Sequence, residues 1–245
     1  STIHSKTFDN GMICAAEQHV TVLDSIYDQV KKKFQESRCY FLTKEEAAKV
    51  GEVFFNSATH GVKATAVGRP ATKLAEMAGI KVPADTKVLI AETDDTSHDN
   101  AWANEKLCPV LAFFVEEDED TILRRICEVL AGEGAGHTFV LHAKDEAVVR
   151  RFALTVPVSR FLVNVPASLG GIGAETALFP ALTLGCGAVG GSSSSNNIGP
   201  LDLINLRRVA WGSEKPEPQP ETPDQPEPDS ALIARLTEEI LKKLR

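Results

Sequence analysis

Apolar positions along the first two hundred residues fall into two rhythms, and their alternation predicts the elements. His19 to Leu23 (HVTVL), Lys87 to Ala91 (KVLIA), Val110 to Val115 (VLAFFV), Thr138 to Leu141 (TFVL) and Arg160 to Val165 (RFLVNV) read as strands. Pro109 suits the start of its strand, where no ladder hydrogen bond is lost. Between the strands, Ser25 is expected to cap a helix from Ile26 to about Phe34, and Thr43-Lys44-Glu45-Glu46 resembles a capping box opening a helix that runs to about Phe55. Ala71 to Ala78, Asp118 to Ala131 and Ala147 to Leu154 also read as helices, and Leu203 to Val209 as a last element. Strands separated by helices of this length predict an α/β fold, a mixed, mostly parallel sheet covered on both faces, with active residues in loops at strand ends.

The pattern breaks at Gly212. Residues 214–228 (EKPEPQPETPDQPEP) hold six prolines and five acidic residues, so 213–229 is expected to be a disordered, extended linker. Beyond it, 230–245 predicts an amphipathic helix with Leu232, Ile233, Leu236, Ile240, Leu241 and Leu244 in one stripe. An isolated helix of that length is marginal in water, so a tethered one is expected to dock on a partner. The expected organisation is a domain over 1–212, the linker, and the helix.

Candidate chemistry concentrates near the amino end, in Phe8-Asp9-Asn10-Gly11-Met12-Ile13-Cys14. Asp9-Asn10-Gly11 predicts a chain reversal. Ile13 to Gln18 then predicts a short helix with Cys14 in its first turn, where free N–H groups would stabilise a thiolate. On these residues alone, Cys14 is either a displayed nucleophile or a small buried hydrophobe. Glu92 to Asp99, rich in carboxylates, is expected to be a solvated loop without metal, since no ligand spacing is present. Ser168 to Pro200 is glycine-rich but has neither a Walker lysine nor GxGxxG, so a substrate-lining or flexible loop is expected there.

Of 245 residues, 43% are hydrophobic, enough for a substantial core, and a formal charge of -8 argues against nucleic acid or an anionic membrane as main partner. No apolar run approaches a bilayer span and no signal-peptide pattern opens the chain, so a cytosolic location is expected. Cys14, Cys39, Cys108, Cys127 and Cys186 form an odd, scattered set that suits reduced thiols and not zinc.

Taken together, FDNGMICAAEQ, EKLCPVLAFF, GHT at 136–138, NVPASLGGIG and TLGCG resemble, in order and spacing, the coenzyme-A-acylating aldehyde dehydrogenases, over about residues 3–211. The resemblance implies that Cys14 is the catalytic nucleophile, that Glu105 holds the nicotinamide ribose of NAD, and that His137 lines the acyl or coenzyme A site. It implies an aldehyde dehydrogenase-like catalytic domain that turns a short aliphatic aldehyde into acyl-CoA through a thiohemiacetal and a thioester on Cys14, with a homo-oligomeric assembly. Family members carry a dinucleotide-binding domain before the cysteine motif, so this chain is expected to be the catalytic half, inactive alone in full NAD-dependent turnover. The tail resembles the encapsulation peptides of bacterial microcompartments, which implies a shell protein as partner and the microcompartment lumen, in the bacterial cytoplasm, as location. The alternatives are a non-catalytic cargo module, and a hydrolytic relative that would release carboxylate without coenzyme A.

Overall fold

The computed structural model describes residues 1–212; the expected linker and terminal helix lie outside the described residues. Ser1–Ile204 forms one compact unit. Residues 205–212 carry neither helix nor strand, so the element expected over Leu203 to Val209 does not form.

In chain order the elements are α1 (Thr2–Thr7), β1 (His19–Leu23), α2 (Tyr27–Glu36), β2 (Cys39–Phe41), α3 (Lys44–Phe54), β3 (Phe55–Asn56), β4 (Gly61–Val62), α4 (Ala71–Met77), β5 (Val88–Glu92), β6 (Val110–Glu116), α5 (Glu119–Gly132), β7 (Gly136–Leu141), α6 (Glu146–Thr155), β8 (Val158–Val163) and α7 (Ala167–Gly171). Four strands form a parallel sheet in the order β1-β6-β5-β2; β7 and β8 form a separate parallel pair, and β3 and β4 an antiparallel one. The fold is therefore mixed α/β with a mostly parallel sheet, as expected from the alternation of strands and helices.

Val110 to Phe114 have no polar break because both faces of β6 are covered there, as a central parallel strand requires, while Val115 is exposed. Val110, Ala112 and Phe114 face the cluster built with Val50 and Phe54 of α3 and Leu74 of α4. Leu111 and Phe113 face the other cluster, with Val30 and Phe34 of α2. Phe113 receives Tyr27, Phe34 and Phe41 edge-on, with ring centroids 5.6–6.1 Å away.

Local chemistry sets several boundaries. Thr43 Oγ1 accepts from Glu46 N at 3.2 Å, and Thr43 N donates to Glu46 Oε2 at 2.9 Å, completing the capping box of α3. Asp118 caps α5, accepting from Thr121 N at 2.8 Å. Ser25 does not cap: it lies inside a 3₁₀ turn over Asp24–Ile26, and α2 starts at Tyr27 without a side-chain cap. TFVL is half-buried where a buried strand was expected, because β7 pairs only with β8 among the described residues and lies beside a cavity. No described helix is long and apolar enough to cross a membrane.

Candidate functional site

Three successive left-handed residues, Asp9 (φ 48), Asn10 (φ 49) and Gly11 (φ 74), reverse the chain after α1. A Cβ on Gly11 would stand 2.9 Å from both the carbonyl carbon and oxygen of Cys108 and 3.1 Å from Lys6 O. The absence of a side chain there lets the turn lie directly against the segment that opens β6.

The helix expected over Ile13 to Gln18 does not form; a single turn closed by Ala16 N to Ile13 O at 2.9 Å takes its place. Long-range bonds win over helix propensity here. Glu17 Oε1 accepts from Ala167 N at 3.1 Å, Gln18 Oε1 accepts from Lys106 N at 3.0 Å and Lys6 Nζ at 3.3 Å, and Gln18 O accepts from Ala112 N at 3.2 Å, at the head of the β1 ladder.

Cys14 is exposed at the rim of a cavity of about 700 Å³. Its thiol is pushed above the ordinary value, first by the protein packed around it and then by the Glu105 carboxylate. The N–H groups of Cys14 and Ala15 and the Arg160 guanidinium pull the other way without reversing the shift. The low-pKa thiolate expected at a helix start is thus corrected: with no helix there is no macrodipole, and the nearest carboxylate repels an anion. Cys39 and Cys108 are buried and pushed further, to about 12 and about 11.

Glu105 and His137 line the same cavity as Cys14. Burial raises the Glu105 carboxyl, Glu133 adds to the rise, and Lys6 and Lys106 oppose it. Burial, then the Arg160 charge, lowers the His137 imidazole. Val20, Val22, Ile122, Ile126 and Phe139 supply apolar lining to the same cavity. Gly171 of α7 brings the two sides together, since a Cβ there would meet Ala15 Cβ at 3.1 Å and Thr138 Cγ2 at 3.6 Å. Exchanging Glu105 for glutamine removes the repelling charge and should speed iodoacetamide alkylation of Cys14 at pH 7 by about two- to fivefold, because thiolate fraction changes tenfold per unit of pKa. Peptide mapping against a Cys14→Ser control checks this; an unchanged or slower rate counts against the electrostatic account.

The glycine-rich stretch does not line this cavity. Within it Gly185 N donates to Asn196 O, Gly187 N to Ser194 O and Ser192 N to Gly187 O, and Gly185 O accepts from Arg160 Nη1. The sequence pattern also passes over three buried basic side chains beside the site: Lys6 and Lys106, 0% exposed, and Arg160, 2% exposed. For Arg160 a signal exists, since a guanidinium opening the apolar run RFLVNV needs internal acceptors.

No protein-family model matches the chain. It is 42% identical over 219 residues to the bifunctional aldehyde-alcohol dehydrogenase of Escherichia coli K12, covering 87% of this chain and 24% of that protein. Among solved structures, a probable aldehyde dehydrogenase from Listeria monocytogenes superposes with a TM-score of 0.83 at 46% identity, covering 87% of this chain and 47% of that one. An acetylating aldehyde dehydrogenase from Geobacillus thermoglucosidasius gives a TM-score of 0.83 at 37% identity, over 90% and 48%. A propionaldehyde dehydrogenase from the fucose utilisation bacterial microcompartment of Clostridium phytofermentans gives 0.70 at 25% identity, over 79% and 43%. The chain spans about a quarter of the first relative's length and under half of the three solved chains.

Proposed function

Because the chain belongs to the acylating aldehyde dehydrogenases over the length it shares with them, we propose that residues 1–212 are the catalytic portion of an NAD-dependent, coenzyme-A-acylating enzyme acting on a short aliphatic aldehyde. The observation that carries the reading is the single cavity lined by Cys14, Glu105 and His137, with Cys14 exposed and apolar side chains in the same lining.

In this reading the Cys14 thiolate attacks the aldehyde carbonyl, forming a C–S bond and an alkoxide. NAD, when bound, supplies the hydride acceptor. Glu105 fits that cofactor: its half-buried carboxylate carries no hydrogen bond from a described side chain and is free to accept from ribose hydroxyls. Loss of hydride from the former carbonyl carbon leaves a thioester on Cys14, and attack by the coenzyme A thiol moves the acyl group on and returns the cysteine. The apolar lining holds the alkyl tail and keeps water from the thioester, which favours transfer over hydrolysis.

Linker and terminal helix extend the proposal. Their likeness to encapsulation peptides and the microcompartment source of the Clostridium neighbour support a lumenal location, with a shell protein as partner for 230–245 and a homo-oligomeric enzyme as cargo.

Acyl transfer from coenzyme A requires no nicotinamide and tests the reading on the chain as it stands. Incubated with propionyl-CoA, the chain should gain one propionyl group, mapped to Cys14 and absent from Cys14→Ser. No acylation, or acylation that survives Cys14→Ser, overturns the reading and leaves the non-catalytic cargo module.

A further inference from the structure

His137, Thr138 and Arg160 form a hydrogen-bonded chain whose direction is fixed at one end. A guanidinium has only donors, so Arg160 Nε donates to Thr138 Oγ1 at 3.0 Å. The Arg160 side chain is buried and its Nη1 donates to Gly185 O at 2.6 Å, which holds the fork in place. Thr138 Oγ1 has a second neighbour, His137 Nδ1, at 2.9 Å. Among the described residues the hydroxyl has no other partner. With one lone pair taken by Arg160, its single proton has one described acceptor, the Nδ1 lone pair. An Nδ1–H tautomer would leave that hydroxyl proton unpaired in a half-buried site, and an imidazolium would stand one hydroxyl away from a buried guanidinium. His137 Nε2 has no described hydrogen-bond partner, and His137 lines the cavity shared with Cys14.

We infer that Thr138 and Arg160 are positioning residues that lock His137 as the neutral Nε2–H tautomer, so that it offers the cavity a hydrogen-bond donor and not a base. This rests on the cavity being the acyl-transfer site. There, an Nε2–H group polarises the aldehyde carbonyl and stabilises the alkoxide that forms on it. The same tautomer cannot accept the coenzyme A proton at Nε2, so His137 is excluded as the base for that thiol.

Ring-nitrogen chemical shifts of the ¹⁵N-histidine-labelled full chain test the tautomer without any activity, with the His137 signals assigned by their loss in His137→Gln. The expected result is a protonated-type Nε2 and an unprotonated-type Nδ1 at neutral pH. Thr138→Val should lower the Nε2–H share to that of a free neutral imidazole, and Thr138→Ser should restore it. An Nδ1–H majority in the unsubstituted chain overturns the inference, as does an unchanged tautomer in Thr138→Val; should the valine variant fail to fold, the unsubstituted chain alone decides. Correct tautomers combined with no acylation of Cys14 would overturn the proposed function and leave the hydrogen-bonded chain standing.

Discussion

Gly11→Ala should destabilise the chain by about 2–5 kcal/mol, lowering its melting temperature by roughly 5–15 °C. Two terms add. The backbone sits at φ +74, where a β-carbon costs about 1–2 kcal/mol, and that carbon would stand 2.9 Å from the Cys108 carbonyl carbon and oxygen. The obstacle is backbone of the segment feeding β6, whose first five residues are buried, so neither side yields cheaply. Gly79→Ala is the control: it shares a positive φ, +70, but has nothing within 4 Å, and should lose only the conformational part, about 1–2 kcal/mol. Urea denaturation of the two variants separates strain from collision, and equal losses would refute the contact argument. The turn also carries Cys14, so Gly11→Ala should slow acylation of the cysteine even where the variant remains folded.

What a sequence reveals here follows the range of the interaction concerned. The capping box at Thr43 and Glu46 spans four residues and the apolar rhythm of β6 spans seven, so both are legible locally. The conformation of Ile13 to Gln18 is not, because Glu17 bonds a residue 150 positions away and Gln18 one 88 positions away, and these contacts override good helix formers. Motif wording points to Cys14, Glu105 and His137, while their meeting in one cavity depends on β1, β6 and β7 being brought together across the fold. The electrostatics at Cys14 are not legible locally for the same reason. A helix dipole is a local expectation, whereas the carboxylate of Glu105 reaches Cys14 only in three dimensions. Burial of Lys6 and Lys106 gives no compositional sign at all, since lysine is ordinarily a surface residue.

Those two lysines should make the chain more stable at pH 9 than at pH 7. Both are 0% exposed. Their amines meet neutral acceptors, Lys6 on Gln18 Oε1 at 3.3 Å and Lys106 on Asn104 O at 2.6 Å, with His19 Nε2 3.5 Å from the latter. Burial brings Lys6 down to about 8 against partial opposition from Cys108, Glu17 and Glu105. Burial and the neighbouring Lys6 take Lys106 well below its ordinary value. An unfolded lysine keeps its proton to about 10.4, so above pH 8 the unfolded chain binds more protons than the folded one, and rising pH favours folding by about 1.4 kcal/mol per unit for each such lysine. From pH 7 to 9, Lys6 should contribute about 1.4 kcal/mol, and Lys106 acts in the same direction. The thiols impose the upper limit. Cys108 and Cys39, held at about 11 and about 12, stay protonated in the fold while unfolded thiols ionise, so stability is lost again as pH climbs past 9. Glu17 and Glu105, both raised, act earlier, as pH leaves the ordinary carboxylate range. Urea midpoints at pH 7, 8, 9 and 10 should therefore trace a maximum near 9. Lys106→Met and Lys6→Met should each flatten the rise by about one proton's worth of slope; stability that is level or falling between pH 7 and 9 would mean these amines are charged and solvated in the fold.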